Sequence, residues 1–185
     1  MPIKIFDGGL DPHTTDHVFI GVDQSYSGFA ITLLSGNKYF TVVRSSEFRG
    51  VERLNDLKRF LHDYIAFLEV KDAAIEGYAF GSQMANMLGE LGGMVKLEFF
   101  NSVYGIAKYP LIIPPTTLKK YVTGKGQGIP KSQMVLHVYK KWGVEFSDDN
   151  AADSYALARL ASGYSKLAYE KEICQKVKDP KFRER

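Results

Sequence analysis

Cysteine is almost absent from this chain. Cys174 stands alone among 185 residues, which excludes an intrachain disulfide and a cysteine-rich zinc site and suits a reducing cytoplasm. Long apolar runs are missing too. None approaches the ~18 residues needed to cross a bilayer, and the N-terminus has no basic stretch followed by an apolar core, as a secretory leader would. There is no internal repeat and no low-complexity tract. Net charge is small: 24 Lys and Arg against 21 Asp and Glu leave +3, a mild preference for a polyanionic partner.

What remains is an ordinary globular composition, 45% apolar and 24% charged, at a length that suits one domain with a sizeable core. Charge is unevenly spread. From Lys108 to Lys141 there are seven lysines and no Asp or Glu; this is either a solvated face or a surface for an acidic partner.

Along the chain, residues 1–16 are polar and hold Gly8, Gly9 and Pro12, so they are expected as a loose arm. Val18 to Val22, Phe29 to Leu34 and Tyr39 to Val43 are apolar runs separated by turn residues, including Ser35-Gly36-Asn37, and predict an antiparallel meander. Leu54, Leu57, Leu61, Tyr64, Ile65 and Leu68 recur at helical spacing, which predicts an amphipathic helix over 51–70. Ala73 to Glu76 reads as a strand. A second helix, capped by Ser82, carries Gly89, Gly92 and Gly93. Each glycine costs a helix about 1 kcal/mol, so three of them imply close approach of another backbone, within the chain or from a partner subunit.

Leu111 to Ile113 reads as a fifth strand, ended by Pro114-Pro115. A short helix from Thr116 bears Lys119 and Lys120, and Gly124, Gly126 and Gly128 form a loop. Pro130 then starts a helix, proline being favoured at a helix N-terminus. A last helix begins near Asp149. Residues 166–185 hold seven Lys or Arg against four Asp or Glu and are expected as a helical extension fraying into a basic tail. The whole predicts an α/β domain over 17–165 with a mixed five-stranded sheet flanked by helices.

Three acidic features carry the chemistry. Asp23 closes an apolar strand in Ile20-Gly21-Val22-Asp23, and Glu76 closes another in Ala74-Ile75-Glu76. A carboxylate there costs desolvation energy unless it is paired or binds metal; a single one is as well read as a turn or cap. The third feature is Asp148-Asp149-Asn150-Ala151-Ala152-Asp153. On a helix, Asp153 shares a face with Asp149 and Asn150. Capping of the helix dipole explains Asp148 or Asp149, but not Asp153, a full turn further in. Carboxylates converging from two strands and a helix suit hard divalent cations, and a pair of such ions serves phosphodiester cleavage.

On these motifs the sequence resembles the RuvC family of Holliday-junction resolvases. The first is Gly21-Val22-Asp23-Gln24-Ser25-Tyr26-Ser27-Gly28-Phe29-Ala30, and Ile75-Glu76 is the second. Leu118-Lys119, Val122-Thr123-Gly124 and Lys131-Ser132-Gln133 follow, and Asn150-Ala151-Ala152-Asp153-Ser154 closes the set. The resemblance spans roughly residues 18–162. It implies an RNase H-like fold, Mg2+ or Mn2+ (two ions per site), a homodimer, and paired nicks in a four-way DNA junction. Asp23, Glu76 and Asp153 fall on the family's acidic positions, and Lys119 and Lys131 on its basic ones.

The fourth acidic position holds the neutral Asn150, which either serves as a weak or water-mediated metal ligand itself or gives way to the adjacent Asp149. Lys119, Lys120, Lys125 and Lys131 are the expected DNA contacts. Tyr78 and Phe80 join them, since aromatics beside a catalytic strand can stack on unpaired bases. The small size and the departures are similar to phage resolvases.

Other readings are a flap or hybrid nuclease of the same fold, a catalytically weak junction-binding protein, and a sugar-kinase or actin-type nucleotide-binding domain. The last needs a longer, two-domain chain. This chain also lacks that fold's second Asp-Gly phosphate loop, and the P-loop hint from Gly124 to Ser132 is spoiled because Pro130 precedes Lys131 where glycine is required.

Overall fold

The computed structural model describes residues 3–25, 27–77, 85–128 and 130–183. A six-stranded sheet, in the order β1-β4-β3-β2-β5-β6, is built from β1 (Ile3–Gly8), β2 (Val18–Gln24), β3 (Phe29–Ser35), β4 (Lys38–Arg44), β5 (Val70–Glu76) and β6 (Leu111–Ile113). β1 to β4 pair antiparallel, whereas β5 and β6 run parallel to β2.

Both faces of the sheet are covered. Val18, Ile20, Val22, Ile31, Leu33 and Ile75 pack beneath α1 (Gly50–Ile65) and α2 (Ala85–Ser102). The alternate residues Ala30, Leu34 and Ala74 face α5 (Asp149–Ala161) on the other side, with α3 (Pro115–Thr123) and α4 (Lys131–Trp142) joining the same core. Strand periodicity sorts the side chains between the two cores.

Three expectations are corrected. The sheet has six strands, not five, because the supposed loose arm forms β1 along the edge of β4. Ile3 and Ile5 alternate there with Lys4 and Phe6, which supplies the period of two. The predicted helix over 51–70 ends at Ile65, and Val70 already belongs to β5. The C-terminal segment forms the expected helix, α6 (Ala168–Lys176), but does not fray after it: with the turn at Pro180–Phe182 it buries Ile173, Cys174, Val177 and Phe182 in the α5-side core.

Candidate metal and nucleic-acid site

Asp23 and Glu76 end adjacent parallel strands. The last paired residues are Val22 and Ile75, so the two carboxylates stand one step further along the same register. Gly21 lies against α5, and alternation puts Asp23 on that same face. Glu76 follows by the same rule, since Ala74 packs in the α5-side core. Asp23 is buried and Glu76 half-buried.

Gln24 is the residue the sequence reading overlooked. Its buried side chain donates from Nε2 to the main-chain oxygen of Glu76 at 2.6 Å. That bond couples the two strand ends where the backbone ladder has stopped. Its only sequence signal was a polar residue directly after a buried acid.

The helix α5 crosses this end of the sheet and is buried from Asn150 to Ala161. Its small side chains allow that, and so does Gly21: a Cβ there would overlap the Ser154 carbonyl oxygen and the Ala158 amide nitrogen. A second glycine, Gly28, makes room for Asn150, whose Nδ2 would lie 2.6 Å from a Cβ at that position. Thr32, Thr41 and Ser154 share a buried hydroxyl network at 2.7 and 2.8 Å that ties β3 and β4 to the helix. Asn150 and Asp153 are therefore held deep, at 8% and 6% exposure.

The helix cap belongs to Asp148. Its Oδ1 accepts from the amides of Asn150 at 3.1 Å and Ala151 at 3.4 Å. Its Oδ2 accepts from Lys4 Nζ at 2.6 Å. Burial pushes this carboxyl up, but Lys4 and the two amides outweigh it and hold it below the ordinary aspartate value. Asp149 is the first residue inside the helix and half-buried.

Asp23, Glu76 and Asp153 thus sit on β2, β5 and α5, three elements packed together. They are not drawn into one cage: among the described residues, no group of three or more His, Cys, Asp or Glu side chains could hold an ion together. Two strand-end carboxylates with nearby amide and carboxylate oxygens fit a hard cation that retains water and takes phosphate oxygens, as Mg2+ does. They do not fit a closed structural zinc site. Asp23 and Glu76 are the first choice of ligands, with Asp153, Asn150 and Asp149 on the helix side.

The lysine run divides. α3 starts directly after Ile113, which pairs with Glu76. Lys119 is half-buried on its second turn, and the glycine loop folds back so that a Cβ on Gly126 would lie 3.3 Å from the Thr116 oxygen. α3 therefore begins at the carboxylate end, and its C-terminal half turns towards α6, where a Cβ on Gly124 would lie 3.6 Å from Tyr169; Lys125 is exposed on the loop beyond. Lys120 pairs with Glu172 at 3.8 Å. Lys108 lies at the opposite end of β6. Lys141 is not a free surface charge: largely covered, it pairs with the buried Glu170 at 2.7 Å. The backbone of Lys131 opens α4, while its side chain, Tyr78, Phe80 and Ser82 lie outside the described residues. Within α2, a Cβ on Gly89 or Gly93 would meet nothing within 4 Å outside the helix's own backbone among the described residues.

No protein-family model matches the sequence, and no curated protein matches it significantly. Solved structures do. The Thermus thermophilus RuvC structure superposes with a TM-score of 0.61 at 17% identity, covering 90% of this chain and 98% of that one. T. thermophilus RuvC in complex with a Holliday junction substrate gives a TM-score of 0.61 at 18% identity, over 76% of this chain and 90% of that one. The chain has the RNase H-like fold of RuvC. No helix among the described residues is long and apolar enough to cross a membrane.

Proposed function

We propose that the chain is a metal-dependent endonuclease that nicks four-way DNA junctions. One observation carries the reading: Asp23 and Glu76 close neighbouring strands in register, facing an acid-bearing buried helix, within the fold of a junction-binding nuclease. Carboxylates brought to one end of a packed domain suit a hard cation that also takes phosphate oxygens, and α3, which bears Lys119, starts from that end.

Asp23 and Glu76 would hold Mg2+ or Mn2+, with Asp153 and either Asp149 or Asn150 on the helix side. When bound, the ion supplies Lewis-acid activation of water and of the phosphodiester. The chain's own residues do the rest. The Gln24 bond and the packing of α5 fix the spacing of the carboxylates. Lys119, and Lys131 at the start of α4, neutralise charge on the scissile phosphate as it builds. Lys120 and Lys125 contact DNA backbone, while Tyr78 and Phe80 stack on unpaired bases at the branch.

Paired nicks need two sites, and a two-fold substrate suits a two-fold protein. The outer face of α2 supports a homodimer: among the described residues Gly89 and Gly93 are open to close approach, and Leu97 and Phe100 follow on that side, 56% and 50% exposed.

The discriminating experiment incubates the protein and Mg2+ with a labelled four-way junction beside linear duplex, flap and RNA–DNA hybrid. Preferential, symmetric nicking of the junction is expected. Preference for flap or hybrid would leave a nuclease of the same fold with another substrate. A second reading draws on Asn150, a neutral residue buried where a fourth acid would stand: the chain binds junctions and cleaves them weakly. Tight junction binding with no nicking in Mg2+ or Mn2+ would select it.

A further inference from the structure

β1 is the edge strand farthest from β5 and β6 in the sheet, yet it reaches the acid-bearing helix. Ile3 and Ile5 point away from the α5 side and are 49% and 57% exposed. Lys4 and Phe6 point towards it. Phe6 packs edge-on against Phe146 with ring centroids 5.2 Å apart, and Phe146 also meets Tyr39 and Tyr155 at 5.7 and 5.5 Å. That aromatic cluster seats the segment leading into α5. Two residues later, Lys4 Nζ meets Asp148 Oδ2 at 2.6 Å, while Asp148 Oδ1 caps the helix through the Asn150 and Ala151 amides.

One carboxylate therefore has both oxygens committed, one to the helix and one to the N-terminal strand. With Oδ1 alone engaged, the Asp148 side chain can turn about its torsions and release the two amides. With Oδ2 pinned by an ammonium, it cannot turn without breaking a charge-assisted bond. The Asp148 side chain is only 8% exposed, whereas Lys4 is 58% exposed. Removing Lys4 thus strips a nearly buried carboxylate of its cation without opening the core.

We propose that Lys4 is a positioning residue for the metal site: through Asp148 it fixes the first turn of α5, and with it Asn150 and Asp153. The inference rests on the reading of α5 as the helix side of that site. It gives β1 a purpose beyond closing the sheet, because the strand bolts the start of the helix to the edge farthest from the carboxylates. Residues that orient ligands from behind matter for metal affinity by 10–100-fold as a rule.

The test compares full-length wild type, Lys4→Met, Lys4→Arg and Asp23→Asn by Mn2+ titration calorimetry, with amide hydrogen exchange at Asn150 and Ala151. Lys4→Met should bind Mn2+ about tenfold more weakly and exchange those amides faster. Lys4→Arg should restore both, since it keeps a cation within reach of Asp148. Lys4→Gln replaces Lys4→Met if the latter does not fold. Wild-type Mn2+ affinity in the neutral variant overturns the proposal, as does an arginine variant no better than it. Asp23→Asn separates the two claims. If it binds Mn2+ as wild type does, the site reading itself fails. If it loses binding while Lys4→Met does not, only the role of Lys4 fails.

Discussion

The Gln24 side chain donates to the main-chain oxygen of Glu76 at 2.6 Å, and so joins β2 to β5 beyond their last paired residues, Val22 and Ile75. Gln24 Oε1 is buried with no hydrogen-bond partner among the described residues, which makes the single Nε2 bond the anchor of this side chain. Gln24→Leu removes this donor to the Glu76 carbonyl. The expected cost is about 0.5–1.5 kcal/mol in urea unfolding, together with a rise in the Mg2+ concentration needed for half-maximal cleavage. A variant with unchanged stability and unchanged Mg2+ requirement would show that the bond does not set the spacing.

Two glycines admit α5, and they should fail differently. Gly21→Ala drives a methyl into helix backbone at Ser154 and Ala158, which cannot yield, so about 3 kcal/mol or outright failure to fold is expected. Gly28→Ala overlaps the Asn150 side-chain amide, which can turn aside, and touches Val43 Cγ1 at an ordinary 3.4 Å, so about 1 kcal/mol is expected. Thermal melts of the two variants give the order directly. Equal melting temperatures would contradict the packing of α5 on β2.

Asp148 and Asp149 have separate parts. Since Asp148 caps α5, Asp148→Ala should lose about 0.5–2 kcal/mol of stability. Asp149→Asn should melt as wild type does. If Asp149 supplies the fourth oxygen, this variant needs more Mg2+ for cleavage, and Asn150→Asp needs less. An Asp149→Asn enzyme with an unchanged Mg2+ requirement rules Asp149 out as a ligand.

The buried Lys141–Glu170 pair locks α6 onto α4 and sets an acid limit. Burial pushes the Glu170 carboxyl up, but Lys141 and the Leu167 and Lys166 amides more than reverse this, leaving it below the ordinary glutamate value. Burial also lowers Lys141, and its bond to Glu170 recovers only part of that. The native state then binds the Glu170 proton less tightly than the unfolded chain. The stabilisation is present above the unfolded carboxyl value of about 4.3 and is lost as pH falls through the lower native one. Urea unfolding from pH 7 to pH 3 should show this loss. Glu170→Gln should flatten the acid limb and, by stranding Lys141, lower stability at pH 7 by about 3 kcal/mol. An acid limb as steep as that of the wild type would remove Glu170 from the explanation.

Most of the sheet and its helices were legible, because apolar runs ended by turn residues reflect strands buried on both faces. β1 was not. Its apolar alternation is only Ile3 and Ile5, and its partner β4 lies more than thirty residues away, so local pattern says nothing of the pairing. Charge concealed the C-terminal segment in the same way, since Ile173, Cys174 and Val177 sit among lysines and glutamates. Asp23 and Glu76 stood out as acids at the ends of apolar strands. Gln24 and the Lys4–Asp148 bridge did not, for each joins segments distant in sequence by a side chain with no periodicity to betray it.

The most direct measurement is a single cleavage and binding assay on a labelled four-way junction with Mg2+, using wild type, Asp23→Asn and Glu76→Gln. Phosphate contacts supply most nucleic-acid affinity, so losing a metal ligand should not weaken binding. Paired nicks from the wild type are expected, lost when the metal is chelated. Neither variant should nick, and both should bind the junction at least as tightly as the wild type. Cleavage at the wild-type rate by either variant, or an inactive wild type that binds duplex as well as junction, would contradict the assignment of Asp23 and Glu76 as the metal-holding pair of a junction nuclease.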